Sequence, residues 1–222
     1  MKESRDCGRW RGLAGGALAI ALAALAGCGT RQVQVQTVMP APLVVRIPVV
    51  VGLYLPPEFR TAVHTEKRDG VEYAIDIGAA QSAGVQRLMD AMFTRAVAVS
   101  APAAAAATDP EIRGVFEPVL EDLSFVTPTD TGTPLYAVSL KYRINAYRPN
   151  GELVDSWTFT GYGTQPAAQL PGQGRALLQQ AAAAAMRDAG AKIAVEFREQ
   201  AIVRGLIEPP GETRPRELQP PP

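Results

Sequence analysis

Residues 135–147 read LYAVSLKYRINAY, residues 148–152 RPNGE, and residues 153–162 LVDSWTFTGY. The two outer runs alternate in polarity with a period of two, and Pro149-Asn150-Gly151 between them carries turn chemistry, which predicts an antiparallel hairpin. If Arg148 faces Leu153, then Tyr142 stands opposite Phe159, Ile144 opposite Trp157 and Ala146 opposite Asp155. Large apolar side chains then meet on one face, where each aromatic cross-strand pair contributes roughly 0.2 to 1 kcal/mol. Lys141, Arg143, Asn145, Ser156 and Thr158 fall on the other, so one face is core and the other is wet.

Working outward, residues 116–126 read as a third strand, joined to this hairpin through Thr127-Pro128-Thr129-Asp130-Thr131-Gly132. The result is a three-stranded C-terminal meander. A helix over residues 173–202 closes it: Leu178, Ala181, Ala182, Ala185, Met186, Ala189, Ile193, Ala194 and Phe197 share one stripe. Small side chains along that stripe predict flat, close packing. Gly190 in its interior costs about 1 kcal/mol relative to alanine and argues against an unbroken helix.

Upstream, residues 43–54 are β-branched and nearly continuous, as in a strand buried on both faces, with Pro48 marking a bulge or break. Phe59 to Glu66 and Val71 to Ile77 flank Lys67-Arg68-Asp69-Gly70, a hairpin signal. Val85, Leu88, Met89, Met92 and Phe93 then follow helical spacing across residues 79–94. Ala96 to Val99 reads as a strand, and Pro102 and Pro110 limit the five alanines between them to a turn or two of helix. The fold class is therefore α+β. A mostly antiparallel sheet, built from an N-terminal strand and hairpin and the C-terminal meander, packs against two amphipathic helices.

Composition bounds the chemistry. The 222 residues carry 22 Lys+Arg, 22 Asp+Glu, one His and two Cys. Balanced charge argues against nucleic acid, whose backbone is met by clustered cations. One histidine and two cysteines exclude the common Cys/His zinc sites, and no metal or cofactor is expected. His64 lies at an alternating position of a hairpin strand, and there is no Gly-x-Ser-x-Gly elbow, so no catalytic residue is assigned. Glu121 and Asp122, as neighbours in a strand, point to opposite faces. Asp155 reads as a sheet-edge carboxylate. Gly161-Tyr162-Gly163 and Gly172-Gln173-Gly174 match no phosphate-loop spacing, and the second reads as a loop and helix start. Tyr147 and Tyr162, near strand ends, are the candidate partner contacts.

The N-terminus has a different character. Lys2, Arg5, Arg9 and Arg11 precede an apolar stretch from Leu13 to Ala26. At about 14 residues this is short of the roughly 20 that span a bilayer, and it reads as a signal peptide. Leu25-Ala26-Gly27-Cys28 resembles the lipobox of bacterial lipoproteins. The resemblance implies cleavage after Gly27 and covalent lipid on Cys28; two or more acyl chains give stable membrane anchoring. Gly29, where an aspartate would retain lipoproteins resembling those of enteric bacteria in the inner membrane, points to the periplasmic leaflet of the outer membrane. Removing four cations together with Glu3 and Asp6 leaves a mature net charge of −2. Cys7 goes too, so no disulfide is expected.

The domain plan is then a cleaved signal over residues 1–27, a lipidated flexible tether over 28–42, one α/β domain over 43–207 and a disordered Pro-rich tail over 208–222. In architecture alone, the domain resembles small envelope lipoproteins: penicillin-binding-protein activators, the Pel-type export lipoprotein and, more distantly, lipopolysaccharide-assembly lipoproteins. That resemblance implies a non-enzymatic accessory that binds an envelope protein partner, and carries over no residue. A lipoprotein taking a small ligand, glycan or lipid in a sheet–helix cleft is the alternative, an envelope hydrolase comes third, and homo-oligomerisation stays open.

Overall fold

The computed structural model describes residues 30–36, 43–167 and 172–203, with side chains to residue 197. Cys28, the signal segment and the Pro-rich tail lie outside the described residues. The elements are β1 (Arg31–Gln34), β2 (Ile47–Leu53), α1 (Pro57–Arg60), β3 (Val63–Arg68), β4 (Val71–Asp76), α2 (Gly78–Met92), β5 (Phe93–Ala98), a 3-10 turn (Pro102–Ala104), α3 (Ala105–Thr108), β6 (Ile112–Val126), α4 (Pro128–Thr131), β7 (Leu135–Tyr147), β8 (Leu153–Pro166) and α5 (Gly174–Val203).

The fold is α+β, as the sequence predicts, but the strands divide into two sheets. One has the order β1-β4-β3 and the other β5-β2-β6-β7-β8. The antiparallel ladders β3–β4, β6–β7 and β7–β8 are the longer ones; β1–β4, β2–β5 and β2–β6 are parallel. β2 therefore has neighbours on both sides, which explains its unbroken apolar run. Its register shifts between Ile47 and Val50, bracketing Pro48, which cannot donate to the ladder. Pro118 lies in β6 just past Phe116, the last residue of β6 paired with β2, and so leaves no donor missing from that ladder.

The hairpin register is the expected one: Tyr142 pairs with Phe159, Ile144 with Trp157 and Ala146 with Asp155. It changes only at the turn, where a bulge between Ala146 and Tyr147 sets Tyr147, not Arg148, opposite Leu153. The Arg148 amide instead donates to the Glu152 carbonyl at 2.8 Å, with Gly151 at φ 89° closing the turn. In the first hairpin Asp69 (φ 48°) and Gly70 (φ 77°) form the turn with positive φ at both central residues that suits strand twist. Phe59 and Arg60, read as the start of that strand, instead form part of α1, because Pro57 sits in the helix's first turn with its φ already set.

Residues 28–42, read as a tether, are corrected in part. Arg31 to Gln34 form β1, parallel to β4, with Val33 1% and Val35 4% exposed. Gln32-Val33-Gln34-Val35-Gln36 is itself a period-two pattern. Its glutamines made it look solvated, while its two valines are enough to hold one face of an edge strand in the core.

α2 and α5 cover the core. Gln81 of α2, fully buried, accepts from the Tyr142 hydroxyl (3.2 Å) and donates to the Phe59 carbonyl (2.5 Å), so its amide is paired where an unpaired one would be costly. Burial pushes the Tyr142 hydroxyl well above its ordinary pKa. At the far end of α5, Phe197 meets Phe116, Trp157 and Phe93 edge-on at 4.9, 5.2 and 5.9 Å between centroids. The helix continues through Gly190, which is buried and lines a residual void with Pro118 and Ile144, so the glycine does not interrupt it.

The alanine stripe does pack flat, and it needs glycine opposite. A Cβ at Gly161 would fall on the Ala185 carbonyl oxygen, and one at Gly163 on that of Ala181. These are backbone atoms of α5, which cannot swing aside. Gly163→Ala should therefore destabilise the domain by about 1 to 3 kcal/mol in urea unfolding. Gly114→Ala, whose Cβ would meet only the Tyr147 carbonyl oxygen at 3.6 Å, should stay within about 1 kcal/mol of wild type.

Candidate functional site

The wet face of the β6–β7–β8 meander carries the most organised polar chemistry among the described residues. Alternation in β7 places Lys141, Arg143, Asn145 and Tyr147 on this face, opposite the core positions Tyr142, Ile144 and Ala146. Glu117 of β6 gathers two of them: its Oε2 accepts from the Tyr147 hydroxyl at 2.5 Å and the Asn145 amide at 2.9 Å. Asn145 Oδ1 in turn accepts from the Ser156 hydroxyl at 2.8 Å. Burial first, and then the Glu117 carboxylate, push the Tyr147 pKa up to about 12.

A second node lies further along β6. The register shifts between Leu120 and Asp122, leaving Glu121 as the extra residue of a bulge. Glu121 reaches Lys141 Nζ at 3.1 Å and Arg143 Nε at 3.4 Å, while Asp122 pairs in register with Lys141. The expectation that Glu121 and Asp122 point to opposite faces is thus corrected, because a bulge suspends strict alternation. Glu121 is the ion-pair partner of both cations, while Asp122 stands opposite Lys141 in the ladder.

The outer edge of β8 is closed by side chains of α5. Asp188 Oδ2 accepts the Tyr162 backbone N–H at 2.9 Å, and Lys192 Nζ donates to the Thr160 carbonyl at 2.7 Å and to Asp188 at 2.8 Å. Lys192, and then the Tyr162 amide, hold the Asp188 carboxyl below the usual carboxylate range. Near the start of β8, Asp155 Oδ1 accepts the Ser156 N–H at 2.7 Å, so the half-buried carboxylate takes up a backbone donor of its own strand. Such pairing occupies groups that would otherwise template an added strand. Asp188 and Lys192 are spaced i,i+4, a pairing that the sequence shows but whose reach to the strand edge it does not.

The two tyrosines named from sequence occupy different settings. Tyr162 is 62% exposed, with Lys192 Nζ 5.1 Å from its ring centroid. Tyr147 is half-buried with its hydroxyl held by Glu117. Tyr162 pairs with Ser139, eight residues before Tyr147, so roughly 27 Å of strand separates the rings and they do not form one patch. His64, in β3, contacts Glu66 at 3.2 Å, and its ring lies perpendicular to that of Phe125 with 6.2 Å between centroids. Glu66 is itself held below the usual carboxylate range, chiefly by its hydrogen bond from Arg68. Among the described residues no group of three His, Cys, Asp or Glu is placed to hold a metal ion.

Two cavities bear on ligand binding. Between α5 and the sheet the space is nearly filled, leaving about 10 Å³ lined by apolar side chains, Tyr142 and Gln81. A cavity of about 410 Å³ lies where the end of β1, the end of β8 and the first turns of α5 meet, lined by Gln36, Gln165, Gln179, Gln180 and Arg187. No helix among the described residues is long and apolar enough to cross a membrane.

No family model matches the chain, and no curated protein matches it in sequence. Its shape is similar to those of several solved structures. A Xanthomonas campestris protein of the DUF330 family is 12% identical, with 78% of this chain and 92% of that one covered and a TM-score of 0.44. An inferred lipoprotein of Caulobacter crescentus is 13% identical over 53% and 81% of the two chains, with a TM-score of 0.35. PelC of Paraburkholderia phytofirmans, solved as a dodecamer, is 17% identical over 69% and 95%, with a TM-score of 0.32. At these scores the likeness is loose, and no residue of theirs is carried over to this chain.

The wet-face node makes a direct prediction. In base titration followed by phenolate absorbance, Tyr147 should ionise near pH 12, above the ordinary value of 10. Its folded pKa is raised, so its contribution to stability is complete below pH 10 and is lost as pH climbs toward 12. Glu117→Gln should move that titration part of the way down, because burial, the larger cause, remains.

Proposed function

We propose that this chain is an outer-membrane lipoprotein, anchored through Cys28 and facing the periplasm, that serves as a non-enzymatic accessory binding a protein partner in envelope assembly or export. The observation that carries the reading is the ordered N-terminal series: four cations, a short apolar stretch, and Leu25-Ala26-Gly27-Cys28. Gly29 supports the outer membrane as its destination. The binding role is supported by the wet face, where Glu117 and Glu121 organise Asn145, Tyr147, Lys141 and Arg143 into a fixed polar surface with the exposed Tyr162 at its β8 edge. Fixed side chains lose little entropy on docking, which favours recognition by such a surface.

The ligand-binding alternative has one observation in its favour, the glutamine-lined cavity, whose amides and Arg187 suit the hydroxyls of a glycan. The interior between sheet and helix has room for about one water molecule. A ligand would therefore sit at the mouth of α5.

Two measurements test the proposal. Cys28→Ser should abolish palmitate incorporation and release the protein from the membrane fraction; unchanged incorporation would refute the lipoprotein reading. Affinity purification of the wild type from detergent-solubilised envelope should recover one protein in stoichiometric amount, and recovery should drop at least tenfold when Tyr162→Ala and Lys141→Glu are combined. Saturable binding of peptidoglycan fragments, abolished by Gln180→Ala with no protein recovered, would favour the alternative.

A further inference from the structure

The position of β1 limits how far a lipid on Cys28 can stand from the domain. Arg31 is already in the sheet, paired with Tyr73. Three residue steps separate it from Cys28, and a fully extended chain covers at most about 3.6 Å per residue, or roughly 11 Å in all. A domain beginning at residue 43 would have had a leash of fifteen steps. The one described here has three.

The structure also says which end is held. The start of β1, the β3–β4 turn and the β6–β7 connection come together around a cavity of about 210 Å³ lined by Arg31, Arg68, Asp69, Tyr73, Thr129 and Tyr136. Arg68 fastens the turn to that connection, donating to Asp130 at 3.1 Å with its guanidinium 4.3 Å from the Phe125 ring centroid. Thr127 and Asp130 cap α4 reciprocally and fix the shape of the connection. At the opposite end of β7, eleven residues or roughly 37 Å from Tyr136, lies the Pro149-Asn150-Gly151 turn.

From the three-residue leash and this clustering, we infer that the end of the domain carrying Arg31, the Lys67–Gly70 turn and the Thr129–Thr133 loop rests on the phospholipid headgroup layer. The inference builds on the lipoprotein reading and replaces a free tether with a fixed orientation. The chemistry of the end suits headgroups rather than acyl chains. Its exposed side chains include Arg31, Lys67, Asp69, Glu72, Thr129, Asp130, Thr131 and Thr133, a polar set of both charges, and none of the large exposed apolar residues (Leu43, Val45, Val63, Leu153, Tyr162 and Val195) belongs to it. Arg68 is already committed to Glu66 and Asp130, so the cations offered to lipid phosphates are Arg31, which leans on the Tyr73 ring at 5.7 Å, and Lys67, set opposite Glu72 in the ladder. Two cations bind a surface weakly on their own, so contact depends on the high effective concentration that the leash imposes. The orientation turns Asn150 and Tyr147 away from the bilayer.

The test uses full-length lipidated protein in phosphatidylethanolamine and phosphatidylglycerol vesicles. Cys7 is cut away and Cys28 acylated in this reading, so Thr131→Cys or Asn150→Cys supplies a single free thiol for a fluorophore. Quenching by headgroup-nitroxide lipid should be at least threefold stronger at residue 131 than at residue 150. An insert of about twenty Gly/Ser residues between Gly29 and Thr30 should erase that difference, and unlipidated protein should not sediment with the same vesicles. Equal quenching at both positions in acylated protein would overturn the inference and leave the lipoprotein reading intact. Absence of acyl chains in the intact mass would refute both, and mass spectrometry tells the two failures apart.

Discussion

The approach of α5 to β8 is the contact on which the rest of the domain depends. Helix and strand come close enough that Gly161 and Gly163 face backbone atoms of Ala181 and Ala185 directly. Side chains no larger than alanine on one side and hydrogen on the other remove the layer that normally separates a helix from a sheet. Two consequences follow. Asp188 and Lys192 come within reach of the strand's outer edge and satisfy its backbone groups. The helix also passes β1 and α2, so the larger of two apolar clusters among the described residues, with Val33 and Val35 at one margin and Phe197 among the aromatic rings at another, reaches both sheets, while Val99, Ala105, Ile112 and Val115 form the smaller one.

Much of this was legible in the sequence because period two and period 3.6 are strong where the runs are long. The pairing of Ile144 with Trp157 follows from alternation together with the position of the Pro149-Asn150-Gly151 turn, and the span of α5 from its alanine stripe. What escaped was of two kinds. Bulges at Glu121 and at the Ala146–Tyr147 step change face or register by one residue without marking the composition. β1 is four residues long and half glutamine, too short for pattern to outweigh polarity, and its parallel partner lies some forty residues away. Glu117 offers no local signal at all, since its role arises from register with Asn145 and proximity to Tyr147.

The functional surfaces divide along the long axis of β7. One end gathers the N-terminal strand, the first hairpin turn and a capped loop, with cations and hydroxyls and no large exposed apolar side chain. Along the other stretch lies a face of interlocked polar groups whose hydrogen bonds are already made. The proposed orientation assigns the first to the membrane and the second to a partner, and backbone groups on the edge of β8 are occupied by side chains of its own helix. The proposed role as a positioned binding surface draws on that division, and the single imidazole is engaged with a glutamate.

Everything about the orientation rests on β1 belonging to the fold. Hydrogen exchange on the full-length protein, read at Val33 and Val35, tests this most directly, because Val35 donates to the Asp76 carbonyl at 2.9 Å within the parallel pairing. Protection at these two amides should lie within about tenfold of that at Ile75 in the neighbouring strand. Exchange at the rate of an unstructured chain would mean that the segment is a free leash, contradicting both the three-residue limit and the orientation drawn from it.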